Sequence, residues 1–388
     1  MQSVVAGHKG NDWDGFACRE MRAGPNGSAE GAEASSTDAA RLAHPRRAAH
    51  QRRAPRGRRD ARGRTGTLPS RSILRAMSLT LRFLGTAASR PTVERNVVSL
   101  AVVREGETFL FDCGEGTQRQ MMRYGITFNV DDIFFSHFHA DHYLGVLGLM
   151  QTMGLQGRTT PLRLWGPRGA ARLLKRPESA GIERLGYAVE VTEVAPGDAV
   201  RRDGYRVASF AVEHRGAAAV GWALVEEQRL GRFNPEMARE LGIPEGPMWG
   251  LLHRGRAVTL DDGRVIDPAT LVGGPRPGRT IVYTGDTRPC AATIEAARGA
   301  DVLVHEATFA DEDAARAAET GHSTAREAAM VAAAAGVERL VLTHLSARYS
   351  RDAGDLDREA KSCFAATTIA KDGLELDVKL KEASSVVR

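Results

Sequence analysis

The segment Ser136-His137-Phe138-His139-Ala140-Asp141-His142 packs three histidines and an aspartate into six consecutive positions, directly after the apolar run Ile133-Phe134-Phe135. On an extended chain end, His137 and His139 fall on one face, because strand side chains repeat every two residues. Asp141 and His142 follow as the chain turns, so they serve a second point in space. That division suits two metal centres a few Å apart better than one closed structural site. Neutral imidazoles and a carboxylate are typical zinc ligands, and catalytic zinc keeps one position open for water. Two divalent ions about 3.5–4 Å apart can clamp the attacking and leaving oxygens of a phosphoester displacement.

Eight of the eleven histidines lie after Met77. Three of them end apolar runs: His214 after Phe210-Ala211-Val212-Glu213, His305 after Val302-Leu303-Val304, and His344 after Leu340-Val341-Leu342-Thr343. His322 sits in Gly321-His322-Ser323-Thr324. Strand carboxyl ends are where a rigid sheet holds a site most accurately. The elements that must carry them are legible. Leu79, Leu81 and Phe83 alternate with polar residues, as in a half-buried strand. Residues 97–103 and 108–111 read as strands around a Glu105-Gly106 turn. Residues 132–136, 162–165, 187–193, 205–212, 280–284, 302–304 and 339–343 read as further strands. Helices are expected over 117–124, closed by Gly125, over 169–175, and over the Ala-rich stretch 325–335, ended by Gly336 with Ser323 or Thr324 as its cap. No internal repeat is present.

Composition narrows the class. The chain has 388 residues, 42% of them hydrophobic, as in a soluble globular protein. No run of 18 apolar residues suggests a spanning helix, and the N-terminus lacks a secretory pattern. The four cysteines form no Cys-x-x-Cys pair, so neither a disulfide framework nor a cysteine zinc ribbon is indicated, and a cytoplasmic protein is expected. The net charge of +5 is unevenly spread. Residues 1–76 carry 15 basic and 7 acidic residues, whereas the other 312 carry 38 and 41. Residues 1–76, with their run of arginines from Arg46 to Arg64, have no helical or strand period. We expect a disordered Arg-rich tail, or a start placed ahead of a first residue at Met77. The folded body is expected over 77–388.

The motifs resemble the metallo-β-lactamase superfamily, and within it the short-form ribonuclease Z branch of tRNA 3′-endonucleases. The resemblance rests on Phe83-Leu84-Gly85-Thr86, Asp112-Cys113-Gly114-Glu115-Gly116-Thr117-Gln118, residues 136–142, Val212-Glu213-His214, Tyr283-Thr284-Gly285-Asp286-Thr287-Arg288-Pro289, His305-Glu306-Ala307-Thr308, Gly321-His322-Ser323-Thr324 and Thr343-His344-Leu345-Ser346-Ala347-Arg348-Tyr349. It implies an α/β fold, a four-layer αββα sandwich with an inserted flexible arm, holding two zinc ions per subunit. It implies one ion on His137, His139 and His214, the other on Asp141, His142 and His344, with Asp286 bridging. It further implies Asp141 as the acceptor that orients a nucleophilic water, His322 as the acid for the departing oxygen, and Glu306 as the carboxylate that orients His322. Asp112 would brace the histidine loop, and Ser346 and Arg348 are candidates for a substrate phosphate.

The implied reaction removes the 3′ trailer of precursor tRNA just after the discriminator base and leaves a 3′-hydroxyl for CCA addition. The implied assembly is a homodimer whose arm, about residues 226–279, grips the tRNA cut by the other subunit. Here that stretch carries eight arginines and eight acidic residues, so it is not basic overall. Arg254 and Arg256, and a second stretch through Arg158, Arg163, Arg168, Arg172, Lys175 and Arg176, are the candidate phosphate contacts. In Pro91-Thr92-Val93-Glu94-Arg95-Asn96, Val93 stands where many family members have lysine, in a loop the family links to sensing the RNA 3′ end. Two other readings remain: a dinuclear-zinc hydrolase for a small substrate, and a non-catalytic RNA-binding module with a degenerate site.

Overall fold

The computed structural model describes residues 78–174 and 185–381. The expected tail, the start at Met77, and Lys175 and Arg176 lie outside them.

Sixteen strands form in chain order: β1 (Leu79–Gly85), β2 (Ser99–Arg104), β3 (Glu107–Phe111), β4 (Asp132–Phe134), β5 (Leu162–Gly166), β6 (Val189–Glu193), β7 (Ala199–Arg202), β8 (Tyr205–Ala211), β9 (Val220–Glu226), β10 (Val258–Thr259), β11 (Val265–Ile266), β12 (Thr280–Tyr283), β13 (Val302–Glu306), β14 (Leu340–Thr343), β15 (Thr367–Ile369) and β16 (Glu375–Asp377). Fourteen of them build two seven-stranded sheets, ordered β16-β1-β2-β3-β4-β5-β6 and β15-β14-β13-β12-β9-β8-β7. In each sheet one half is antiparallel and the other half, β3 to β6 or β12 to β15, is parallel. The β2–β3 hairpin turns on Glu105 and Gly106, both at positive φ, as the turn residues suggested.

The alternation in β1 turns Leu79, Leu81 and Phe83 into the space between the sheets. There they meet residues from both sheets, with Phe111 stacked on Tyr283 at 5.3 Å and Phe134 packed edge-on to Trp222 at 5.1 Å. Two further cores lie on the outer faces. One seats helices Thr117–Arg123 and Gly145–Leu155 on the first sheet. The other seats helix Ala325–Ala335 on the second, with Ala325, Ala328, Ala329, Ala332 and Ala335 all buried. That spacing is one helical face, and alanine lets the helix approach the sheet closely. The layers are therefore helix, sheet, sheet, helix, as expected.

Residues 226–279, the stretch expected as an arm, form a lobe with structure of its own. They hold helices Pro235–Glu240 and Pro247–His253, the β10–β11 hairpin, and a small core of their own around Ala238, Ile243, Leu252, Leu260, Ile266 and Leu271. Its pieces are too short to show a period, because each buries only one or two side chains against the others. The lobe joins the body where Arg229 and Arg276 exchange two backbone hydrogen bonds of 2.8 and 2.9 Å. Among the described residues no helix is long and apolar enough to cross a membrane.

Candidate active site

The site forms at the carboxyl ends of parallel strands from both sheets. His137 follows β4, Asp286 follows β12, Glu306 ends β13 and His344 follows β14. His139 caps the one-turn helix Ala140–Tyr143 that carries Asp141 and His142. All seven side chains singled out as ligands converge. His137, His139, His214 and Asp286 form one group and Asp141, His142 and His344 another, each with its donor atoms within 4.8 Å of one another. Asp286 lies between them: Oδ2 is 3.6 Å from His137 Nε2 and 3.4 Å from His142 Nε2, and Oδ1 is 3.2 Å from His344 Nε2.

The outer nitrogens of these rings are already occupied. His142 Nδ1 donates to Asp112 Oδ2 at 2.8 Å, His214 Nδ1 to the Gly321 carbonyl at 2.9 Å, and His344 Nδ1 to Thr308 Oγ1 at 2.9 Å. A neutral imidazole whose Nδ1 carries the proton presents a bare lone pair at Nε2. Yet His142 Nε2 and His344 Nε2 face each other at 3.3 Å, and His214 Nε2 faces His139 Nδ1 at 3.2 Å. His137 Nε2 and Asp286 Oδ1 are buried without a hydrogen-bond partner. Opposed lone pairs and orphaned buried acceptors are what shared cations satisfy, so the residues present fit a metal site.

Asp112, fully buried, is the brace on which the histidine segment hangs. It sits at φ 56° and takes hydrogen bonds from Ser136 N, Ser136 Oγ, His142 Nδ1 and Tyr283 Oη, all within 2.8 Å. Asp141 Oδ2 accepts the Ser89 amide at 2.6 Å. At the rim, Glu306 Oε1 accepts His322 Nδ1 at 2.8 Å and the Thr287 amide at 2.9 Å. Burial works against the charged ring of His322, but the carboxylates of Glu306 and Asp286 outweigh it and push its pKa up to about 9. Burial alone would raise the Glu306 carboxyl, whereas the His322 ring holds it below the usual range. His322 borders a cavity of about 470 Å³ lined also by Arg90, Phe309, Arg316, Ser346 and Arg348. Of the two expected caps, Thr324 rather than Ser323 caps the helix Ala325–Ala335, in a capping box with Glu327. Arg288 pairs with Glu327 and donates to the His322 carbonyl at 2.6 Å, fixing the loop.

Other residues fall elsewhere. His305 is buried on the far side of its strand, as alternation requires when Glu306 faces the site. Arg95, in the loop over residues 91–96, is buried and spent on Thr86, Ala370 and Ser350, while Asn96 hydrogen-bonds Asp372 and Glu115. Only the loop tip, with Val93 at 95% exposure, faces solvent. Arg158 and Arg163 are paired with Asp131 and Asp132. Arg254, Arg256, Arg168 and Arg172 are exposed. Sequence reasoning assigned no role to Thr308, Tyr283 or Ser89, although Thr308 and Tyr283 stand in the quoted motifs; the contacts of Thr308 with His344, of Tyr283 with Asp112 and of Ser89 with Asp141 join residues remote in sequence.

A family model described as a beta-lactamase superfamily domain matches residues 253–345, and one described as anti-Pycsar protein Apyc1 matches residues 79–227. A protein of Gemmatimonas aurantiaca named Ribonuclease Z is 62% identical over 307 residues, covering 79% of this chain and 98% of its own. One of that name from Myxococcus xanthus is 52% identical over 305 residues, covering 78% and 99%. The crystal structure of human tRNase Z, short form, superposes with a TM-score of 0.58 at 26% identity, covering 78% of this chain and all of that one. By identity, coverage and fold, this chain belongs to the ribonuclease Z family and has the metallo-β-lactamase fold.

Proposed function

We propose that this protein is a tRNA 3′-processing endoribonuclease that hydrolyses precursor tRNA after the discriminator nucleotide and leaves a 3′-hydroxyl. The observation that carries the reading is the His322–Glu306 pair, held beside a seven-residue ligand cluster at the mouth of an arginine-lined cavity. In this reading His137, His139 and His214 would hold one zinc ion and Asp141, His142 and His344 the other, with Asp286 within reach of either; the imidazole-rich donor set favours zinc. Bound there, the pair of cations supplies Lewis-acid activation of water and neutralises charge at the scissile phosphate.

The chain's own groups do the rest. Asp141, fixed by the Ser89 amide, orients the attacking water and takes its proton. His322, with Nδ1 held by Glu306, gives its Nε2 proton to the departing 3′ oxygen. The water oxygen bonds to phosphorus, the P–O3′ bond breaks, and the phosphate stays on the trailer. Exposed arginines of the cavity and the lobe bind the backbone without reading sequence. The lobe leaves the sandwich through the ends of β9 and β12 opposite the cluster, which favours a homodimer in which it serves the partner's site. A cytoplasmic setting, where precursor tRNA is found, completes the reading.

The test is incubation of the purified protein with a 3′-extended precursor tRNA, with and without chelator, with the ends mapped. Chelator-sensitive cutting beside the discriminator is expected. Intact precursor, or cutting that a chelator leaves unchanged, would sink the reading.

A further inference from the structure

We infer that Thr308 is a positioning residue that couples the ligand His344 to the Glu306–His322 pair through one hydroxyl. The inference rests on the reading that the cluster holds metal. Thr308 is only 4% exposed. Its Oγ1 lies 2.7 Å from Glu306 Oε2, 2.9 Å from His344 Nδ1 and 3.1 Å from the His344 carbonyl. A hydroxyl has one proton and two lone pairs. The carboxylate is the strongest acceptor in reach, so the proton goes to Glu306 Oε2 and the oxygen accepts His344 Nδ1–H.

Two consequences follow from that direction. First, the tautomer of His344 is set: Nδ1 carries the proton and Nε2 is left bare, 3.2 Å from Asp286 Oδ1 and 3.3 Å from Asp141 Oδ2. His344 has φ 55°, a backbone conformation that costs a non-glycine residue energy and is kept where the surroundings dictate it. The hydrogen bond from its ring to Thr308 Oγ1 is part of those surroundings. Second, with Oε2 taken by the Thr308 hydroxyl and amide, Glu306 turns Oε1 to Thr287 N and His322 Nδ1. Glu306 keeps three donors without the hydroxyl, whereas His344 Nδ1 loses its partner. Removing the hydroxyl therefore acts chiefly on His344.

Thr308→Val, nearly isosteric, tests this. The chelator concentration that strips half the metal should fall about 10–100-fold, the usual range for such ligand-orienting contacts. The kcat on precursor tRNA should fall with it, while KM and the melting temperature of the metal-free protein stay as in the parent. Thr308→Ser should restore both metal retention and kcat. Should Thr308→Val lower the metal-free melting temperature, the smaller Thr308→Ala must show the same loss of retention. Parental retention and kcat in Thr308→Val, or a serine variant no better than valine, would overturn the inference. A parent protein that cuts no precursor tRNA would refute the proposed reaction instead, and the retention measurement would still decide the role of Thr308.

Discussion

His322 and the seven ligand side chains differ in what they touch. The ligands aim bare nitrogen or carboxylate oxygen at one another, whereas His322 Nδ1 is occupied by Glu306 and its ring edges the cavity. Its side chain is 13% exposed against 0–2% for His137, His142, His214 and His344. His322→Ala should accordingly lower kcat about 10²–10⁴-fold, the range for positioned acids, with metal content unchanged. Glu306→Gln should lower kcat less and add little in the His322→Ala background, since the two act as one unit. Elemental analysis beside steady-state kinetics checks both; metal lost from His322→Ala would reassign it as a ligand.

At the scale of elements, the lobe over 230–275 is a separate packing unit. Its core residues pack on one another, and the two legs that lead back to the sandwich are joined by the Arg229–Arg276 bridge. Replacing 230–275 by a short turn at that bridge should leave the sandwich folded. Cleavage of precursor tRNA should fall by orders of magnitude while hydrolysis of a small phosphodiester persists, because a small substrate needs no remote grip. Equal loss of both activities would favour the small-substrate hydrolase. How little of the lobe was legible has a physical cause: its helices of six and seven residues are too short to display an amphipathic period. Helix Ala325–Ala335, by contrast, was readable because it has a cap, three turns and a closing glycine.

For the molecule as a whole, the end away from the cluster is fastened by charge. Glu226, at the end of β9, pairs with Arg104 at the end of β2 and with Arg279 just before β12, at 2.9 and 2.7 Å, so one carboxylate ties the two sheets. Burial raises the Glu226 carboxyl, but the guanidinium partners outweigh it and hold it below its ordinary 4.5. A carboxylate with a depressed folded pKa stabilises above its unfolded value, and that contribution is lost as pH falls through the folded value. Glu226→Gln should therefore cost about 3 kcal/mol at neutral pH, as for a buried pair stripped of one partner. The gap from the parent should begin to narrow as pH falls past the ordinary 4.5 and close once pH passes the lowered folded value. Urea midpoints across pH would read this, and a gap independent of pH would exclude the ionic account.

Local spacing marked the His137–His142 cluster and the strands that carry it, because those depend on short-range periodicity and donor chemistry, whereas the four-layer class and the remaining ligands followed from the motifs' resemblance to a known family. The tertiary structure decided which histidines share a place. His305 and His344 both follow apolar runs, yet strand parity turns one into the helical layer and brings the other to the cluster. It also decided that Arg95 is a structural strut and that Thr308 touches two chemical units at once. Such contacts join residues up to hundreds of positions apart, and no local pattern encodes a distance that only the packing of two sheets creates.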